Sequence, residues 1–234
     1  AAAERTITCT GSDFSGYCWL ISAWTDFDGT INLKTTKSSG TVHHQTHSSG
    51  GWPTDKPHDV TLDGGMNLYS VTNLDISGKL TITNGTYNTQ HISGGTSYSL
   101  TVTGDVKITG KLTCNASVCE FDSVYIFNGG TYNATSGTTT ITGEDNSSGF
   151  AWYQYTSTAE FNHNGGTVEF QDNATHIKPY HNFYNLIINC NNAAGYIQCR
   201  DYINVDNDFT ITRGRWNFDS GNLNMTVLGN THVT

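Results

Sequence analysis

Six cysteines are the residues best equipped for covalent chemistry in this 234-residue chain. They fall into three close pairs, Cys9 and Cys18, Cys114 and Cys119, Cys190 and Cys199, with long stretches between the pairs. Each pair can bridge a hairpin or a turn, and closing so short a loop contributes about 2–3 kcal/mol in the chain-entropy picture. Zinc is the rival use. Structural zinc sites need closely spaced cysteine pairs that converge, and only Cys114 and Cys119 approach that spacing. The sequence therefore predicts local disulfides Cys9–Cys18, Cys114–Cys119 and Cys190–Cys199, and with them an oxidising, secreted setting.

Other groups have the right types for binding or catalysis. His43, His44 and His47, with His58 not far away, supply imidazoles for a transition metal. They lie in a Thr/Ser/Gly-rich stretch, where a solvated loop is the simpler reading. Asp26-Phe27-Asp28-Gly29 and Asp206-Asn207-Asp208 space two oxygen ligands as calcium loops do. The further ligands and the closing Glu of an EF-hand are missing, so turns are expected, and structural calcium is the one cofactor kept open. Arg200-Asp201 is the one adjacent Arg–Asp dyad. Cleaving a glycosidic bond needs facing carboxyl groups, whereas an exposed ion pair contributes little. No catalytic site is specified, and no enzymatic activity is expected. Trp152, Tyr153 and Tyr155 occupy both faces of any strand, so at least one ring points outward, where it can stack on a sugar or anchor a protein.

Composition narrows the class. Charged residues are 13% of the chain, about half the usual share. Aromatic residues, at 12%, argue against disorder, since disordered chains are poor in them. The formal net charge of −9, with 11 scattered basic residues, excludes a nucleic-acid footprint. No apolar stretch approaches the roughly 20 residues that cross a bilayer. The Ala1-Ala2-Ala3 start reads as a mature terminus after signal cleavage. Sequons at Asn84, Asn115, Asn133, Asn146, Asn173 and Asn224 are candidate glycosylation sites, but a chain this rich in Asn, Ser and Thr acquires several by composition alone.

The elements that must position these groups are strands. Residues 1–65 hold Trp19, Trp24, Trp52 and two of the three prolines, and read as an irregular N-terminal β cap or small β domain. Residues 66–234 read as a repeat region. Leu74–Thr83 and Leu100–Thr113 alternate apolar and polar residues, as a strand with one buried face does. Gly-Lys-Leu-Thr recurs at 78–81 and 110–113, and Asn84-Gly85-Thr86-Tyr87-Asn88 returns as Gly129-Gly130-Thr131-Tyr132-Asn133 and loosely as Asn164–Val168. The unequal offsets suit a solenoid whose coils differ in length. No segment carries a helical period.

The runs Phe161–Phe170, Phe183–Ile188 and Asp208–Gly214 resemble right-handed parallel β-helix repeats of microbial and viral surface and fibre proteins. The resemblance covers residues 68–234 and implies an all-β, stacked scaffold that displays surface. The expected function is a structural subunit of an extracellular filament, surface layer or virion appendage. An adhesin or carbohydrate-binding module is the alternative, and a polysaccharide-active enzyme the third reading. Expected partners are further copies of the chain and a surface glycan. Residues 221–234 read as strand without Pro or charge, so Leu223, Met225, Val227 and Val233 at one end and Arg5 and Ile7 at the other are the expected edges for head-to-tail strand pairing.

Overall fold

The computed structural model describes four backbone strands within residues 5–46 and, with side chains, residues 58–234 apart from Met66, Val71, Ile92, Asn146 and the side chain of Ala174. The described residues contain no helix, and the strand ladders are parallel. They wind as a β-solenoid of about eight turns, the parallel β-helix that the repeats of residues 68–234 resemble.

Each coil contributes to three faces. Face 1 stacks Leu74–Ile76, the first part of Leu100–Ile108, the first part of Cys119–Ile126, Thr138–Ile141, Thr167–Phe170, Asn185–Asn189, Phe209–Arg213 and Thr231–Val233. Face 2 stacks Asp59–Asp63, Leu80–Ile82, the later parts of Leu100–Ile108 and Cys119–Ile126, then Phe150–Gln154, Ala174–Lys178, Tyr196–Cys199 and Arg215–Phe218. Face 3 stacks Asn67–Ser70, Thr86–Asn88, Lys111–Thr113, Thr131–Asn133 and Glu160–Asn162, and later Ile203–Val205 and Met225–Val227. The ladders run on across residue 65: Arg5–Cys9 and Thr30–Thr35 lead into Asp59–Asp63, while Ser15–Ile21 and Thr41–Thr46 lead into Asn67–Ser70.

Period-two alternation sends every second side chain inward, so the core is a set of columns. On face 2, Val60, Leu80, Val106, Val124 and Trp152 form one buried column. On face 3, Leu68, Tyr87, Leu112, Tyr132 and Phe161 form another. Burying each such side chain contributes about 1.5–3 kcal/mol. Coil length varies between 18 residues, from Val106 to Val124, and 29, from Tyr132 to Phe161. The extra residues leave at the corners, where backbone need not pair with the neighbouring coil.

Two sequence repeats are not structural repeats. Gly-Lys-Leu-Thr enters face 2 at Leu80 but face 3 at Leu112. Asn164–Val168 leads into face 1, whereas its two counterparts lie on face 3. Both segments carry what any entry to a strand here needs. At the corner before Thr167, Asn164 takes a φ of 50° and Gly165 one of 72°, a left-handed turn that Asn and Gly tolerate. A Cβ on Gly166 would sit 2.0 Å from the Thr135 carbonyl oxygen of the coil beneath, so that corner admits only glycine.

Candidate functional site

Face 2 carries aromatic rings on its outside. Trp152 points inward and is fully buried, and Tyr153 and Tyr155 point outward. Stacking the coils aligns them with residues far away in sequence. One outward row runs Lys107, Tyr125, Tyr153, Lys178, and Arg200 continues it one residue beyond the paired Ile177 and Cys199. Two residues further along the chain, past the paired stretches, come Phe127, Tyr155, Tyr180 and Tyr202 of successive coils. Tyr125 stacks on Tyr153 at 5.7 Å, and Phe127 lies 6.3 Å from Tyr155. The Lys178 ammonium sits 5.3 Å from the Tyr153 ring and 5.4 Å from the Tyr180 ring. Such cation–π contacts hold the rings and the charges in one fixed array. Phe150 joins the array edge-on to Tyr153 at 4.9 Å, and the Arg200 guanidinium covers its outer side at 5.4 Å.

Neighbouring side chains set this array. His176 Nδ1 donates to the Gly149 carbonyl at 2.9 Å, which leaves Nε2 to accept from the Arg200 guanidinium at 2.8 Å. Both ring nitrogens are thereby engaged. The corner before Phe150 brings Ser148 onto the Tyr125 hydroxyl, which also donates to the Phe150 carbonyl at 3.2 Å. Burial pushes the Tyr125 hydroxyl up to about 12. Toward the N-terminal coils, Asp105 lies buried between Lys79 at 2.9 Å and Lys107 at 3.4 Å, and accepts from Ser123 at 2.9 Å. Burial, with repulsion from Asp105 and other nearby carboxylates, pushes Asp122 up to about 6. Asp145 goes the other way: burial alone would raise it, but the Ser147 hydroxyl and N–H and the charges of Lys107 and Lys79 hold it below the usual carboxylate range.

At the far edge of the aromatic rows the face 3 ladder breaks. It is continuous from Ser15–Ile21 to Glu160–Asn162 and resumes at Ile203–Val205. In the intervening coil only Phe183 makes a bridge, to Val205. The cause is visible at Gln154, which occupies the inward column of Leu62, Ile82, Ile108 and Ile126. This fully buried amide takes over the pairing that backbone would have made. Its Oε1 accepts from the Tyr180 N–H at 2.8 Å and the His181 N–H at 3.2 Å, while its Nε2 donates to the Ala159 carbonyl and to His181 Nδ1, both at 2.9 Å. Pro179, which has no N–H to donate, precedes the diverted segment. The gap is a cavity of about 480 Å³, whose lining includes Asn162, His163, Asn164, His181, Asp206 and Tyr180 of the aromatic row.

The candidates raised by the sequence are placed as follows. Arg200 and Asp201 do not form a dyad: Arg200 reaches His176, and lies 3.8 Å from Asp219, while Asp201 accepts from the Tyr202 N–H. Both lie past the end of Tyr196–Cys199, on the corner that leads to Ile203–Val205, and their side chains take different partners. Asp206 and Asp208 do not converge on a common point either, because Asp206 binds Asn182 and His163 of earlier coils and Asp208 binds Asn230 of the next. His58 lies 3.2 Å from Asp59, while the side chains of His43, His44, His47, Asp26 and Asp28 lie outside the described residues. Among the sequons, Asn84 and Asn224 are exposed. The side-chain amides of Asn115 and Asn133 donate to Asn88 and Thr113, and Asn173 accepts from the Asn192 N–H. Asn146 lies outside the described residues. Leu223, Met225, Val227 and Val233 lie in the last coil, and the side chains of Arg5 and Ile7 are not described.

The four described cysteines are free, buried thiols, in place of the expected Cys114–Cys119 and Cys190–Cys199 bonds. Cys190 lies at the corner before Tyr196–Cys199, beside Gly195, and Cys199 closes that strand. Four residues of extended chain span about 13 Å, well past the roughly 7 Å limit between bridged Cα atoms. Cys114 and Cys119 do meet, as hydrogen-bond partners across the corner from face 3 to face 1, and burial and the neighbouring thiol hold Cys114 well above its ordinary value. Burial pushes Cys199 up to about 12, and its thiol donates to the Asp201 carbonyl. Protonated thiols of this kind are poor nucleophiles and metal ligands. The side chains of Cys9 and Cys18 lie outside the described residues.

The sequence reading found Tyr153 and Tyr155 but missed Tyr125, Phe127, Lys178, Tyr180 and Tyr202. A signal was present: Tyr125-Ile126-Phe127, Tyr153-Gln154-Tyr155, Lys178-Pro179-Tyr180 and Arg200-Asp201-Tyr202 repeat one pattern, a ring or cation followed two residues later by a ring. No family model matches this chain, and no curated protein or solved structure matches it.

Proposed function

We propose that this chain binds a carbohydrate polymer along the outer surface of face 2, without cleaving it. The observation that carries the reading is the row of Tyr155, Tyr180 and Tyr202, which are 50%, 45% and 58% exposed and come from three successive coils. Tyr125 is covered by the corner that carries Ser148, but these three rings are not. Rings with an apolar face and a polar edge suit sugars, whose own faces are apolar and whose rims are hydroxylated. Paired strands lie about 4.8 Å apart, so exposed rings carried just past the strands of successive coils offer a repeated contact of the kind a polymer can follow. The engaged nitrogens of His176 favour binding over turnover, since neither is left to move a proton. The reading goes with a secreted or surface-displayed chain. Retention on immobilised polysaccharides in affinity electrophoresis tests it. Tyr155→Ala and Tyr180→Ala are each expected to weaken retention about tenfold, equivalent to about 1.4 kcal/mol. Unchanged retention in both variants refutes the reading.

Self-assembly is a second reading, resting on a different observation. Arg215–Phe218, Met225–Val227 and Thr231–Val233 each pair on one side only, and Trp216, Phe218, Met225 and Val227 are partly buried against the core. A second copy pairing with this edge would cover these side chains, as a further coil of the same chain would. Sedimentation velocity over a concentration series should detect association, and Met225→Lys with Val227→Lys should abolish it. A chain that stays monomeric at the highest concentration rules this reading out.

A further inference from the structure

The cavity at the break in face 3 is lined by both hydrogen-bond donors and acceptors. Asn162 donates its amide to Asn133 Oδ1 at 2.8 Å, and Asn164 donates its amide to the Ala134 carbonyl at 2.7 Å. Both therefore keep Oδ1 as an acceptor for something else. The Asp206 carboxylate accepts from the Asn182 amide at 2.7 Å, while His163 Nε2 lies 3.3 Å from its other oxygen, and among the described residues it keeps further acceptor capacity. The His163 tautomer follows from its other side, since Nδ1 accepts from the Gly165 N–H at 3.0 Å and the proton must sit on Nε2. His181 is fixed in the same way. Both lone pairs of Gln154 Oε1 are occupied by N–H groups, so Gln154 Nε2 is the donor to His181 Nδ1, and among the described residues the His181 Nε2–H has no hydrogen-bond partner. The lining thus offers two amide oxygens and a carboxylate as acceptors, and the His181 Nε2–H, the second amide N–H of Asn162, Asn164 and Asn182 and the Tyr180 hydroxyl as donors, beside the rings of Phe161 and Tyr180.

We propose that this cavity binds one neutral, hydroxyl-rich pyranose ring, and that Tyr180 joins it to the aromatic row as the place where one sugar of the polymer is recognised individually. The proposal rests on the glycan reading of face 2. A hydroxyl group is both donor and acceptor, so a ring carrying several of them satisfies Asn162 Oδ1, Asn164 Oδ1 and Asp206 together and accepts from His181. A uronic acid or sulfated sugar would bring its charge against the Asp206 carboxylate, in a chain that is already net negative. The volume, within the roughly 300–1,000 Å³ of small-molecule sites, accommodates a single ring.

The test is amide-resolved NMR titration of the whole chain with methyl glycosides of gluco-, galacto- and mannopyranose and with the matching uronic acids. At least one neutral glycoside is expected to shift the amides of Asn164, His181 and Asn182, with the uronic acids binding at least tenfold more weakly. Asp206→Asn, which keeps an acceptor for His163, should weaken the neutral glycoside about tenfold and remove most of the discrimination against uronic acids. Tyr153→Ala should leave the cavity titration unchanged while reducing retention on polymer. The proposal is overturned if uronic acids bind as well as neutral sugars, if a simple amine or a divalent cation shifts these amides while the sugars do not, or if no glycoside shifts them. If Tyr155→Ala and Tyr153→Ala leave polymer retention intact, the face 2 reading fails on its own, whatever the cavity does.

Discussion

Replacing Trp152 with alanine is expected to destabilise the chain by about 3–5 kcal/mol. Trp152 is the widest side chain in the core, and its ring contacts Phe161 at 4.7 Å, Phe183 at 5.2 Å and Tyr132 at 6.0 Å. These rings come from three coils, so one truncation opens a void shared among all of them. A solenoid transmits stability only between neighbours. The cavity should therefore uncouple the coils before Trp152 from those after it, and denaturant unfolding followed by circular dichroism should split from one transition into two. Trp152→Phe separates ring packing from polarity, because the indole N–H is buried without a partner and phenylalanine removes that cost along with some volume. A Trp152→Ala variant that unfolds in a single transition with less than about 1 kcal/mol lost would show that the aromatic cluster does not tie the coils together.

Gln154→Leu is expected to destabilise by about 2–4 kcal/mol, although it makes the core more apolar. Leucine fits the column of Leu62, Ile82, Ile108 and Ile126 in shape. What it cannot do is receive the N–H groups of Tyr180 and His181 or donate to the Ala159 carbonyl. Orphaned, partly buried backbone groups cost more than the added apolar burial returns. Hydrogen exchange reads the effect where it arises: the amides of Tyr180 and His181 should exchange ten- to a hundredfold faster, while those of Val124–Ile126 in the coil beneath keep their protection. If the leucine variant is as stable as the parent and those two amides remain protected, the amide is incidental to the diverted segment.

The stacked parallel strands were legible in the sequence because a core of columns imposes alternation on every strand, as Leu100–Thr113 displays. The rows on the outside were not. Tyr125, Tyr153, Lys178 and Arg200 are neighbours only once the coils are stacked, and their separations in sequence depend on how much chain leaves at each corner. The recurring Gly-Lys-Leu-Thr was misleading for a related reason: entering a strand from a tight corner calls for the same residues on any face. Gln154 was invisible because a single glutamine in an alternating strand gives no hint that it points inward. The cysteines were judged on separation along the chain, which fails for Cys190 and Cys199 because an extended strand carries them apart.

The unequal coils have a consequence for the regularity of such a surface. The rise between rings is a property of backbone pairing, whereas the distance between them in sequence is set by how much chain each corner holds. The corner between Ile141 and Phe150 lengthens its coil, and Tyr153 still lies opposite Tyr125. The protein can thus lose a regular sequence period and still stack its outward side chains at the constant spacing of paired strands.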